Sequence, residues 1–124
     1  MSAPILDLDY LNEISGGDPK YVYEVLTLFV ETFPAGLTNL ETLIRETDDY
    51  DAIHKQAHTL KSSAGIVRIR GMFDDLSRID MLARNKSNKE EIVARLDNIL
   101  FNFNKAIPFI QAERVKCRAA DPGI

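Results

Sequence analysis

Apolar residues recur every three or four positions over most of the chain, a spacing typical of amphipathic helices. The longest pattern places these residues on one helical face: Val22, Val25, Leu26, Phe29, Val30, Phe33, Leu37, Leu40 and Ile44. Asp18 and Pro19 mark its start, because aspartate is a favoured N-cap and proline at the first helical position loses no hydrogen bond. Pro34 is expected to kink this helix or to split it in two.

One shorter helical pattern precedes this helix and three follow it. The short one contains Leu8, Leu11 and Ile14 and is closed by Gly16 and Gly17, which favour helix ends. The later helices are predicted to bury Ile53, Ala57, Leu60, Ala64 and Val67; then, after Gly71, Met72, Leu76, Ile79 and Ala83; and finally Ile92, Leu96, Ile99, Phe103, Ile107 and Ile110. The last helix should begin near Ser87 or Asn88 and bend at Pro108, and the tail should fray from Ala119.

The predicted fold is all-α, an antiparallel up-down-up-down four-helix bundle with a short additional N-terminal helix. Short links force neighbouring helices to be antiparallel, and no alternating apolar and polar run supports a β-sheet. The chain has 124 residues, 45% of them hydrophobic, which fits a single domain over residues 1–124 with an ordered core of about 7–118.

Charge is divided unevenly along the chain. Residues 1–53 carry 2 basic and 11 acidic side chains, a net charge of −9, and residues 54–124 carry 13 basic and 8 acidic ones, a net charge of +5. A basic surface in the second part would suit an acidic partner or a phosphate. The basic residues are scattered, and zinc-finger, RNP and glycine-rich phosphate motifs are missing, so nucleic-acid binding is not predicted.

The sequence also predicts a cytoplasmic protein that does not bind a membrane. Its first ten residues do not read as a secretory signal, and no stretch offers the roughly 20 apolar residues of a membrane span. The single cysteine, Cys117, cannot form an internal disulfide.

Both histidines, His54 and His58, fall one turn apart in the third long pattern, on a stripe beside the predicted core face. They could be solvated surface residues, or half of a metal site that lacks further ligands. His58 could instead be a nucleophile, with Lys61 one turn away to neutralise phosphoryl oxygens. Small residues from Ser62 to Gly65 would let a protein partner approach the ring.

The run from Ala57 to Gly65 resembles the active-site helix of histidine-containing phosphotransfer (HPt) domains, whose pattern is His-x-Leu-Lys-Gly-Ser-Ser/Ala. His58, Leu60, Lys61 and Ser63 match this pattern at the expected offsets. With the bundle pattern and the length, the resemblance covers about residues 7–112.

The resemblance implies that His58 accepts a phosphoryl group from a receiver-domain phospho-aspartate and passes it to another receiver aspartate. Lys61 would offset the phosphoryl charge, and Ser63 would cap nearby polar groups or contact the phosphate. Asp80 and Arg84 fall where family members often carry polar and basic residues beside the histidine; they could equally form an ordinary surface ion pair.

Two positions depart from the family pattern, because Ser62 and Arg68 replace glycines. Ser62 is small enough to preserve access, whereas Arg68 could shift the docked receiver or contact its acidic pocket. His54 is expected to be a surface neighbour of His58, and Arg68, Arg70 and Arg84 to form a charged rim.

The expected protein is therefore a monomeric phosphoryl carrier without kinase activity of its own. Its partners would be the receiver domains of response regulators and hybrid histidine kinases. It would bind no cofactor and no metal, and the Mg²⁺ would belong to the receiver. The alternative is an HPt-like helical adaptor that binds signalling proteins without being phosphorylated.

Overall fold

Five helices and one pair of short strands make up residues 4–124, the part of the chain that the computed structural model describes. In chain order they are β1 (Leu6–Asp7), α1 (Asp9–Ile14), α2 (Pro19–Glu46), α3 (Tyr50–Ile66), β2 (Arg68–Ile69), α4 (Met72–Arg84) and α5 (Lys89–Ala120). The all-α prediction is confirmed, apart from the small strand pair.

Helices α2 to α5 form a four-helix bundle in which each helix packs on the next and α5 closes on α2. The connections between them are only three to five residues long, so consecutive helices are antiparallel. On this ring α5 lies diagonally across from α3. Aromatic rings fill the space between α2 and α5, with Phe33 at 4.6 Å from Phe29 and 5.6 Å from Phe103 between ring centroids.

The predicted helix starts are confirmed by their caps. The Asp18 carboxylate accepts a hydrogen bond from the Lys20 amide at 3.0 Å, with Pro19 as the first helical residue. At α5, the Asn88 side chain accepts from the Glu91 amide at 3.1 Å. Such caps satisfy amides that the helix itself leaves without partners.

Helix α2 runs through Pro34 without a break, so of the two outcomes expected there, a kink or a split, the split does not occur. Proline inside a helix costs about 3 kcal/mol. The buried face of α2, which continues through Phe33 and Leu37 on both sides of Pro34, offsets this cost. Helix α5 likewise contains Pro108 and continues to Ala120.

The strand pair is a feature that the sequence analysis missed. Leu6 pairs with Ile69 and Asp7 with Arg68 in antiparallel register, and the Arg70 amide donates to the Ile5 carbonyl at 2.9 Å. Two-residue strands are too short to show the alternation by which strands are recognised. The pair ties the N-terminal segment to the connection between α3 and α4.

Some residues predicted for the core lie at its edge. Val25, Val30 and Ile107 are half-buried, and Ile14 of α1 is exposed. In α5 the buried face passes instead through Ala106, between Phe103 and Ile110, because the spacing of three and then four residues keeps these side chains in phase. Beyond α5, Ile124 packs partly against the core.

No helix within residues 4–124 is long and apolar enough to cross a membrane.

Candidate functional site

Helix α3 carries both histidines along the side that faces α4. The helix begins where the Asp49 carboxylate accepts from the Ala52 amide at 3.1 Å, and it buries Ile53, Ala57, Leu60 and Ala64 in the bundle. This anchoring leaves His58 at the surface with 65% of its side chain exposed. The predicted exposure of His58 is confirmed.

Asp80 of α4 lies beneath the two histidines and is close to four basic side chains of the site. Its side chain is only 6% exposed. Its Oδ2 atom lies 3.4 Å from Nδ1 of His58 and 3.7 Å from Nζ of Lys61. Its Oδ1 atom accepts a hydrogen bond from Nε of Arg84 at 3.0 Å and lies 3.3 Å from Nδ1 of His54. Asp80 is therefore a buried carboxylate shared by four basic side chains.

The interpretation of Asp80 and Arg84 as an ordinary surface ion pair is thus wrong for Asp80. The Arg84 side chain is 56% exposed, as in a surface pair, but its partner is buried against α3. A spacing of four residues predicts that the two side chains meet, whatever their burial. Only the packing of α4 on α3 decides which of them turns inward.

Asp80 is ionised at neutral pH. Burial acts to raise the pKa of Asp80, but the neighbouring Arg84, His58 and Lys61 together outweigh it and hold the pKa below its ordinary value of 3.8. An ionised carboxylate has no proton to donate and only accepts hydrogen bonds. The group that faces Nδ1 of His58 is therefore an acceptor.

Lys61 lies between this carboxylate and an aromatic side chain. Its Nζ atom is 5.6 Å from the centroid of the Phe73 ring, and 25% of its side chain is exposed. A cation over an aromatic face is attracted to the ring. The structure therefore holds the Lys61 ammonium group in the same cluster as His58, as the sequence pattern predicted.

The two serines of the motif lie on different sides of α3. Ser62 is exposed, and one turn separates it from His58. Ser63 is half-buried and lines a cavity toward α2, together with Val25, Leu28, Phe29, Thr32, Ile66 and Val67. At 100° per residue, Ser63 is turned by roughly 140° from His58 around the helix axis. The structure does not bring Ser63 to the histidine.

Gly65, near the end of α3, and Arg68, in β2, border a second cavity, which is also lined by Phe73. The Arg68 Nε atom donates to the Gly65 carbonyl at 3.0 Å, and its guanidinium group lies 4.6 Å from the Tyr10 ring centroid. Arg68 thus packs on α1 and closes the end of α3. Arg70 is half-buried in the same connection, and Arg84 is exposed at the other end of the site.

His54 is not the simple surface neighbour that the sequence predicted. Its side chain is 23% exposed and lies between two carboxylates, with Nε2 at 3.4 Å from Asp51 and Nδ1 at 3.3 Å from Asp80. Asp51, three residues earlier, could have been anticipated as a neighbour from helical spacing. Asp80 could not, because it comes from another helix.

The described residues support neither a metal site nor a reactive cysteine. Within residues 4–124, no group of three or more His, Cys, Asp or Glu side chains is placed to hold a metal ion. Cys117 is buried, and burial followed by the nearby Glu113 raises the pKa of its thiol. A raised pKa disfavours the thiolate, which is the reactive form of cysteine.

Comparison with known protein families identifies the chain. The family model described as Hpt domain matches residues 24–104, about two-thirds of the sequence and the part that contains the whole His58 cluster. Comparisons with curated proteins and with solved structures gave no significant match. The chain therefore belongs to the Hpt family, whose members are histidine phosphotransfer domains of two-component signalling that act as phosphocarriers and interact with receiver domains.

Proposed function

We propose that this protein carries a phosphoryl group on Nε2 of His58, taking it from the phospho-aspartate of one receiver domain and passing it to the aspartate of another. The observation that carries the proposal is an exposed imidazole whose inner nitrogen lies 3.4 Å from a buried carboxylate. This arrangement orients the ring and leaves its outer nitrogen open to a partner.

The carboxylate of Asp80 selects the nucleophilic nitrogen. A neutral imidazole has one N–H group and one nitrogen with a free lone pair. Because Asp80 is an acceptor, it favours the proton on Nδ1 and leaves the lone pair on Nε2. Nε2 attacks phosphorus in line, a P–N bond forms, the P–O bond to the donor aspartate breaks, and the donor leaves as a carboxylate. The positive charge that develops on the ring is offset by Asp80.

Lys61 and the partner supply the remaining charge compensation. The Lys61 ammonium group is partly exposed and one turn from His58, so it can reach the phosphoryl oxygens with a small side-chain movement. The Mg²⁺ ion and the acidic pocket that hold the phosphoryl group belong to the receiver in this proposal. Since the chain has no ATP-binding motif, it is not expected to phosphorylate itself.

The receiver is proposed to dock over the exposed side of α3 and α4. Phe73 has 45% of its surface exposed and borders the cavity beside Gly65, which offers an apolar centre for the contact. Arg68 lines the same cavity and Arg84 is exposed at the other end of α4, and both would meet the acidic rim of a receiver.

The decisive experiment is phosphotransfer from a purified, phosphorylated receiver domain in the presence of Mg²⁺. Wild type is compared with His58→Gln, and the label on this chain is tested for stability in base and loss in acid. ³¹P and ¹⁵N NMR of the labelled protein then identify the phosphorylated nitrogen. We expect label on wild type alone, at Nε2, and no label from ATP without a receiver.

Two results would contradict the proposal. Label that persists in His58→Gln would show that His58 is not the phosphorylated residue. A lack of label with several receivers that themselves remain phosphorylated and competent would refute the carrier role and favour a helical adaptor.

A further inference from the structure

We infer that His54 is a positioning residue for transfer at His58: it holds the carboxylate of Asp80 so that Oδ2 faces Nδ1 of the reactive ring. The inference rests on the proposed function, since it concerns the same site. His54 itself does not lie where the phosphoryl group would arrive.

The two histidines face different oxygen atoms of the Asp80 carboxylate. His54 Nδ1 lies 3.3 Å from Oδ1 of Asp80, and His58 Nδ1 lies 3.4 Å from Oδ2. The rings are one turn apart on α3 and both approach α4. Any rotation of the Asp80 carboxylate about its last bond would therefore change its distance to both rings.

Burial separates the roles of the two rings. His58 is largely exposed and open to a partner, whereas His54 is mostly covered and its Nδ1 is fully buried. The other group on Oδ1 is Arg84, whose long side chain is more than half exposed. An exposed pair restrains geometry weakly, because water and salt compete with it. Arg84 makes the hydrogen bond to Oδ1, and His54 is the more buried of the two side chains beside that atom.

The Nδ1 atom of His54, which faces Oδ1 of Asp80, is buried. It makes no well-aligned hydrogen bond in the resting protein, and a buried polar atom in that state needs an explanation. The nearest carboxylate oxygen is that of Asp80, so a proton on Nδ1 avoids setting a lone pair against a negative charge. On the far side of the ring, Asp51 can accept a hydrogen bond from Nε2 only when that nitrogen also carries a proton. Both histidines therefore present Nδ1 to the same carboxylate, that of Asp80.

The test compares two substitutions of His54 in the whole protein. In His54→Asn, the amide nitrogen can occupy the place of Nδ1 and still donate to Asp80, whereas His54→Leu keeps apolar volume but has no donor. Single-turnover transfer from a phosphorylated receiver is measured over a range of receiver concentrations. Imidazole ¹⁵N NMR of the unphosphorylated protein reports which nitrogen of His58 carries the proton.

We expect His54→Leu to lower the maximal transfer rate by roughly five- to tenfold, less than a well-aligned hydrogen bond to a charged group contributes, because the Nδ1–Oδ1 contact is long and poorly aligned. The receiver concentration at half-maximal rate should stay the same, because His54 is not on the docking surface. The Nδ1-protonated fraction of His58 should also fall. His54→Asn should stay within about twofold of wild type.

Controls separate this role from packing and from the proposed function itself. Lys116→Ala removes an exposed side chain of α5 that pairs with Glu113 at 3.4 Å, and should change neither the rate nor the protonation of His58. If His54→Leu does not fold, His54→Gln replaces it, since its longer amide reaches toward Asp51 instead of Asp80. A wild-type rate and an unchanged His58 spectrum in the Leu or Gln variant would overturn the role of His54 alone. Wild type that takes no label would overturn the proposed function instead.

Discussion

Replacing Asp80 by alanine removes the carboxylate on which the site depends. The variant leaves His58 without an acceptor at Nδ1 and leaves the buried Nδ1 of His54 without a carboxylate. A hydrogen bond to a charged group contributes about 1.5–3 kcal/mol, and the 3.4 Å separation at His58 argues for the lower end. A loss of about 1.4 kcal/mol in the transition state corresponds to roughly tenfold slower transfer.

The same substitution should have a modest effect on stability. The Arg84 side chain is 56% exposed, so solvent screens its ion pair with the buried Asp80, and we expect the pair to contribute about 1 kcal/mol. His54 Nδ1 makes no well-aligned hydrogen bond even in wild type, so losing the nearby carboxylate adds little, and removing a buried carboxylate relieves its desolvation. We therefore expect the free energy of unfolding to fall by about 1 kcal/mol, with the fold retained.

The assay combines single-turnover transfer with urea unfolding, and Asp80→Asn is the matched control. Asparagine keeps an acceptor oxygen but no charge, so it should slow transfer less than alanine does. The lowered pKa of Asp80 means that its charge stabilises the fold above the unfolded-state value of 3.8, and that this stability is lost as the pH falls through the folded-state pKa. The stability difference between wild type and Asp80→Asn should therefore shrink only below about pH 4. Transfer by Asp80→Ala within twofold of wild type would show that the Asp80 carboxylate does not assist the attack by His58.

Three further predictions concern neighbouring positions. Lys61→Ala should slow transfer by roughly tenfold with unchanged helix content, since one partly exposed cation is lost while Mg²⁺ of the receiver remains; a wild-type rate in the same assay would remove Lys61 from the mechanism. Ser62→Gly should leave transfer intact or faster, because Ser62 is exposed beside the docking face, and a marked loss would reveal a positive role for its hydroxyl. Asp75 is buried, and burial raises its pKa despite the ion pair with Arg95. Its charge therefore opposes folding as the pH rises above 3.8, so urea midpoints at pH 4 and pH 7 should show wild type losing stability relative to Asp75→Asn; a constant difference would contradict this.

The helices, where they begin and the exposure of His58 could all be predicted from the sequence alone. These properties depend on residues close together in the chain. The period of the apolar positions sets the buried face of each helix, and caps such as Asp18 and Asn88 act on amides two or three residues away. The exposure of His58 follows from the same period, because Ala57 and Leu60 take the core face of α3. The motif that surrounds His58 is likewise continuous in sequence.

The assembly of the site, in contrast, depends on how the helices pack. Asp80 is 22 positions beyond His58, and its burial and its distance to each imidazole depend on the register at which α4 packs on α3. That register is a sum of many side-chain contacts, which helical periodicity does not specify. The same packing half-buries His54 and turns it from a surface residue into a partner of Asp80. Periodicity could show which way each helix faces, but only the packing could bring one carboxylate between two histidines.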